Sequence, residues 1–308
     1  MKLGTIGMIM MDITKNIKSD VIYSYKDISL ILRLIKSDLN LIQSKKKADN
    51  KNIEYYNIPC AFDIEDSSFY EGKKKVGIMY EWTFGINGMV IIGRKWEEFI
   101  YLINTLVDIL KLSSTKRLII YTHYLQHEFE YMRKWLTWTK VFASKPRIPI
   151  YALTKNGIEF RCSYMLSGYS LEKLGEQLHT YKIKKLVGQL DYSKIRHNKT
   201  SLTNEEIAYC VNDVKVVMCY IAERINQDGD ITKLPLTKTG YVRNYCREKC
   251  FKSSGYKSFI HSLTLSPDEY NQLKRAFQGG FTHANPFISN LQIPIENVTS
   301  YDITSSYP

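Results

Sequence analysis

Apolar residues in this chain recur with two periods, and the switches between them set the expected order of elements. Residues 1 to about 50 carry one amphipathic segment, "ISLILRLIKSDLNLI", which ends in the basic run "KKKADNK"; the run reads as a solvated linker. "IPCAFDIED" then reads as a buried strand, and "KVGIMYEWTFGI" and "GMVIIGR" continue it as a meander turning at Asn-Gly. "WEEFIYLINTLVDILKL" has helical periodicity, "RLIIYTHYL" returns to a strand, and "EFEYMRKWL" is again helical. "IPIYALTKNGIEFRCSYML" is a hairpin turning at a second Asn-Gly, followed by "SLEKLGEQL", a short helix opened by a Ser cap. After the basic "KIKKLVGQLDYSKIRH" comes a long helix, "TNEEIAYCVNDVKVVMCYIAERINQ", with Thr203 as N-cap and Glu206 at the third helical position. From about residue 236 the pattern becomes a helical connector that leads to a Gly-marked turn in "QGGFTHANP". Strands first, then strand and helix alternating, implies an α/β fold with a mixed central sheet flanked by helices. There is no internal repeat and no low-complexity tract.

Composition adds a partner. Of 308 residues, 43 are Lys or Arg against 31 Asp or Glu, a formal charge of +12, and 23 are Tyr. Lysines neutralise phosphates while bases stack on aromatic rings, so single-stranded nucleic acid is the natural candidate. The six cysteines lack paired spacing; Cys246 and Cys250 sit one helical turn apart with no second ligand pair, so free thiols in a reducing cytoplasm are expected. Asp12 interrupts the apolar opening, no small-residue cleavage site follows, and no run approaches a membrane span. The expectation is a soluble cytoplasmic protein without a membrane partner.

Three modest signals carry chemistry. Asp63 and Glu65, in "DIED", lie two apart on a strand and so share a face. Two like charges that close are costly unless cations lie between them. Glu128, in "THYLQHEFEY", follows a later strand and opens a helix, where the dipole favours an acid. Tyr209 and Asp213, in "YCVND", lie one helical turn apart on one face. Taken singly, each is as easily a surface acid or a packed tyrosine; their order along the chain is the stronger signal.

That order resembles the DEDDy-type 3′–5′ exonuclease domain with its ribonuclease-H-like sheet. The resemblance implies that Asp63, Glu65, Glu128 and Asp213 hold two Mg²⁺ or Mn²⁺ ions and that Tyr209 orients the attacking water. "SLEKL" is similar to the Ser-Leu motif of protein-primed family B DNA polymerases, making Ser170 and Leu171 contacts for the single-stranded 3′ end. "KKLVGQLDY" resembles the same family's Lys-bearing stretch, with Lys184 or Lys185 on a phosphate. "AFQGGFTHANP" looks like the family's YxGG motif, with Phe277 in the Tyr position before Gly279 and Gly280. "YDITSSYP" looks like the first polymerase motif, DxxSLYP, with Asp302 as a metal ligand and Ser306 in place of the Leu. The resemblance runs from about residue 57 onward. It implies an N-terminal extension (1–50), an exonuclease domain (51–235), and a connector with the start of a polymerase palm (236–308). The implied function is proofreading in viral or plasmid replication, with primer-template DNA and a terminal priming protein as partners. The chain is expected to be the N-terminal part of a longer polymerase, cut off as a truncated record, a split gene or an intein junction.

The second exonuclease motif departs from the family. It usually reads His-Asn-x-x-x-Asp, whereas here His123 is followed by Tyr124 in the Asn position and Glu128 in the Asp position. Both His123 and Tyr124 are expected at the DNA end. A bulky phenol for a compact amide leaves open a nuclease-impaired module that guides single strands, and a stand-alone ribonuclease-H-like exonuclease is a further alternative. The "FQGGF" and "YDITSSYP" segments weigh against the latter.

Overall fold

A computed structural model describes residues 12–186, 191 and 194–276. The chain divides into two compact units, Met1–Arg243 and Asn244–Pro308. In the first unit, the residues before 51 do more than extend the chain. Helices α1 (Thr14–Ile17) and α2 (Ile28–Leu34) bury Ile17, Ile28 and Ile31, and β1 (Ile22–Ser24) pairs in parallel with residues 90–92. The basic run read as a linker is instead a hairpin of β2 (Leu41–Ala48) and β3 (Lys51–Tyr56), turning at Asp49 and Asn50 with φ of 50° and 60°. Its lysines are exposed as expected. Ser44, Ile53 and Tyr55 are buried between them, and that two-residue period makes the segment a strand.

The meander forms as the pattern implies. β4 (Cys60–Glu71), β5 (Lys74–Ile86) and β6 (Met89–Gly93) pair antiparallel, and Asn87-Gly88, both at positive φ, closes the second hairpin. Between Glu65↔Glu81 and Asp66↔Met79 the register slips by one, leaving Tyr80 as the extra residue of a bulge. Helix α3 (Trp96–Leu110) follows, then β7 (Lys116–Thr122) beside β4 in parallel, and α4 (Leu125–Met132). Strands β8 (Trp138–Lys145), β9 (Ile148–Thr154) and β10 (Ile158–Cys162) complete the sheet, whose order is β1-β6-β5-β4-β7-β10-β9-β8. The sequence reading has no β8, because residues 139–145 are all exposed and lack the alternation that marks a half-buried strand.

Short helices α5 (Ser163–Ser167) and α6 (Leu171–Glu176) lead toward the long helix α7 (Asn204–Asp228). Thr203 caps α7 in a reciprocal box with Glu206, as its S/T-x-x-E pattern implies. The sheet is packed on both faces. Phe99, Leu102 and Leu106 of α3 share one core with Phe62, Phe84 and Ile120, while Val214, Val217 and Ile221 of α7 share the other with Ala61, Ile119 and Tyr121.

Helix α8 (Lys238–Cys250) begins in the first unit, and the second holds its end with α9 (Ser254–Ser262) and α10 (Pro267–Ala276), helical as the connector pattern implies. Phe277, Gly279, Gly280 and Asp302, with the palm-like segment, lie outside the described residues. All six cysteines are free, and among the described residues no helix is long and apolar enough to cross a membrane.

Candidate active site

Four carboxylates from three elements meet at one end of the sheet. Strand alternation turns Asp63 and Glu65 of β4 to the same face, and α7 crosses that face to bring Asp213 to them. One carboxylate oxygen of each of Asp63, Glu65 and Asp213 lies within 4.8 Å of the others. Glu128, on the first turn of α4, brings its carboxyl against that of Asp63. All four line a cleft of about 630 Å³.

The electrostatics are those of crowded acids. Burial, then the charge of Asp213, raises Asp63 to about 7. Burial, then Asp63, likewise raises Glu65 and Glu128 above the ordinary carboxylate range. Asp213 is raised by burial alone, against the opposing pull of Lys185. Oε2 of Glu128 and Oδ1 of Asp213 are buried without a hydrogen-bond partner. Hard oxygen donors, like charges and orphaned lone pairs are what a divalent cation satisfies, so the residues fit Mg²⁺ or Mn²⁺.

The other expected residues of this unit fall around the same cleft, with one exception. His123, Tyr124, Ser170, Leu171, Lys185 and Tyr209 all line it. Lys185 pairs with Asp213 at 2.9 Å, whereas Lys184 is exposed and outside the lining. Tyr209 is buried beside Cys210. Ser170 accepts from the backbone N–H of Lys173 and so caps α6, which fixes Leu171 at the cleft.

His123 is held as a neutral ring. Ser163 Oγ donates to the Thr122 carbonyl at 3.1 Å and receives Nδ1 of His123 at 3.0 Å, which assigns the proton to Nδ1. Burial, then Lys185, lowers this histidine to about 4, and its Nε2 is a buried acceptor without a partner. Tyr124 does not point into the core. It is 42% exposed, adopts a left-handed conformation (φ 67°) as the N-cap of α4, and stacks on Tyr164 at 4.2 Å between ring centroids.

Four further residues belong to the site's surroundings without having been singled out from the sequence. Asp66 and His127 also line the cleft, paired at 3.0 Å, and Tyr131 donates its hydroxyl to Asp66 at 2.9 Å. The spacing of His127 and Tyr131, one helical turn, was the available signal. Glu81 sits opposite Glu65 on β5, 1% exposed, taking one hydrogen bond from Thr83 and leaving Oε2 unpartnered. Nothing in "YEWTF" marks it, since only the register brings it behind the cluster.

A family model described as DNA polymerase type B, organellar and viral, matches residues 144–308. A comparison with curated proteins finds no match. Among solved structures, phi29 DNA polymerase complexed with primer-template DNA and incoming nucleotides superposes with a TM-score of 0.53 at 17% identity, over 75% of this chain and 41% of that one. Phi29 DNA polymerase complexed with single-stranded DNA gives 0.54 at 18% identity, over 74% and 41%. The likeness is one of fold, and the chain spans about two fifths of that polymerase's length.

Proposed function

The chain belongs to the organellar and viral type B DNA polymerases, and on that premise we propose that residues 51–235 are a proofreading 3′–5′ exonuclease acting on single-stranded DNA ends. The observation that carries the reading is the convergence of Asp63, Glu65, Glu128 and Asp213 in one cleft, with buried oxygens left unpartnered. These four residues would hold Mg²⁺ or Mn²⁺. Such ions, when bound, supply an activated water and stabilise charge on the leaving 3′ oxygen.

The chain's own groups then have distinct tasks. Tyr209, at the cleft beside Asp213, orients the water. Nε2 of His123 accepts a hydrogen bond from the terminal 3′-hydroxyl, a role that suits a neutral imidazole with a free lone pair. Lys185 meets a backbone phosphate, and Ser170 with Leu171 lines the path of the terminal nucleotides. Proofreading implies primer-template DNA as the wider substrate, and protein priming implies a terminal protein as partner.

One observation favours a second reading. The Tyr124 phenol, stacked on Tyr164 at the cleft, occupies the position of a compact amide in the family motif. A nuclease-impaired module that guides the strand would tolerate it.

Time courses with 5′-labelled single-stranded DNA test the proposal. A ladder shortening from the 3′ end in Mg²⁺ or Mn²⁺, abolished by Asp63→Ala with Glu65→Ala, is the expected result. Activity of the double variant equal to the parent's overturns the assignment, and binding without any cleavage by the parent supports the guide reading.

A further inference from the structure

Away from the catalytic cleft, the face of the sheet that α7 packs against carries a second cluster of opposite charge. Residues paired across a sheet share a face, and the register sets Phe142 beside Tyr151, Tyr151 beside Arg161, and Arg161 beside Tyr121. In the next row Lys140 stands beside Leu153 and Leu153 beside Glu159. Burial falls off toward the edge strand β8: Arg161 is 3% exposed, Phe142 52%.

The charges in this cluster do not balance. Glu159 is fully buried and already bonded by Arg161 at 2.6 Å and Arg117 at 3.4 Å. Lys46 is an exposed residue of β2, and desolvation of its ammonium, then the charges of Arg161, Arg117 and Lys140, holds it below the usual lysine range, with Glu159 opposing them. Among the described residues four cations therefore gather round Glu159, while Asp228 acts on the cluster through Tyr121. Glu54, the neighbour of Tyr55 on β3, faces the other way beside Lys116. Lys46 and Lys140 are exposed, so an anion arriving from solvent can reach both and relieve the crowding.

We propose that this surface, centred on Lys46, Lys140 and Phe142, binds a segment of single-stranded DNA at a distance from the catalytic cleft. Phosphates would complete the charge of Lys46 and Lys140, while a base stacks on the exposed Phe142 ring. An acidic protein segment would answer the charges but leaves the solvent-facing ring beside Lys140 without a purpose. The chain's membership of a DNA polymerase family makes nucleic acid the matching polyanion. The inference does not depend on nuclease activity.

The test uses the full chain in EDTA, where binding is read without cleavage, and fluorescence anisotropy of an oligothymidylate of about 30 nucleotides. Lys46→Ala with Lys140→Ala should weaken binding about tenfold and reduce the salt slope by roughly 0.7 for each lysine. Phe142→Ala should weaken the oligothymidylate several-fold yet leave heparin, a polyanion without bases, unaffected. Degradation of an oligomer of about four nucleotides in Mn²⁺ should match the parent, which reads the nuclease assignment separately. Unchanged affinity and slope for the lysine pair, with melts equal to the parent, overturns the proposal. So does a Phe142→Ala variant that binds DNA as well as the parent.

Discussion

The ammonium of Lys185 lies 2.9 Å from Oδ2 of Asp213 and 5.2 Å from the centroid of the Tyr209 ring. One cation thus touches both members of the YxxxD pair and offsets part of the repulsion among four clustered acids. A DNA phosphate entering the cleft would compete with Asp213 for it, freeing a carboxylate as the substrate arrives.

Lys185→Ala is therefore expected to weaken single-stranded DNA binding, lower the salt slope by roughly 0.7, and cut kcat/KM by about 10- to 100-fold. Lys184→Ala, at an exposed position outside the cleft, should leave kcat/KM near the parent's. Salt-titrated binding beside steady-state kinetics for both variants decides it; equal losses would sink the separate role of Lys185.

Metal-free protein should be less stable at alkaline than at mildly acidic pH. Burial and mutual repulsion raise Asp63 to about 7, and burial raises Glu81 to about 8. The folded state therefore keeps protons that the unfolded chain has released above pH ~4, so the contribution of these acids to stability is fully present below that point and is lost as pH rises through the folded values. Melts in EDTA from pH ~5 to ~8.5 should show a declining Tm, and Glu81→Gln should flatten it. Adding Mn²⁺ should restore most at the alkaline end, by roughly 2.7 kcal/mol at a hundredfold excess over Kd. A Tm independent of pH would contradict the crowded-acid picture.

Gly85→Ala should uncouple the sheet from the helix that carries Asp213. A Cβ there would lie 2.4 Å from Met218 Cε and 2.7 Å from Val214 Cγ1. Met218 can swing aside, but the β-branched Val214 is stiff, so α7 must move outward beside its own Asp213. The expected cost is about 1–3 kcal/mol of stability together with a fall in kcat. Retained kcat with a lowered melt would mean that the cleft tolerates the shift.

Tyr124→Asn is expected to raise single-turnover exonuclease rates while leaving the melt nearly unchanged. The phenol is half-exposed, stacked on Tyr164 and edge-on to His123, so little buried packing is lost, and the smaller amide lets the terminal nucleotide settle toward the acids. A misplacement of ~1 Å can cost on the order of 100-fold, which bounds the possible gain. A slower enzyme would refute the view that Tyr124 obstructs the site.

Much of this protein is legible in its sequence where a local pattern has one physical solution. The two Asn-Gly turns, the Thr203–Glu206 box and the 3.6-residue period of 96–110 each specify an element by themselves, and each forms. Asp63 and Glu65 share a face because a strand alternates, and Tyr209 and Asp213 because a helix turns every 3.6 residues. The motif order that identifies the family is equally a property of the linear chain. Other features are set by partners distant in sequence. "KKKADNK" has the composition of a linker and becomes a hairpin only because β3 also pairs with β7. β8 has no buried face to mark it. Lys184 and Lys185 are adjacent, and only the path of the backbone relative to α7 selects the second for Asp213. Glu81 faces Glu65 through register alone, and Lys46 feels the charges of Arg117 and Arg161 because β2 pairs with β3, β3 with β7 and β7 with β10. The sequence by itself determined which residue types alternate, cap and turn, since those depend on neighbours one to four positions away. Which charges crowd one another across elements was decided only by tertiary structure, because Coulomb repulsion and desolvation act through space between groups that lie far apart along the chain, as Asp63 and Asp213 do.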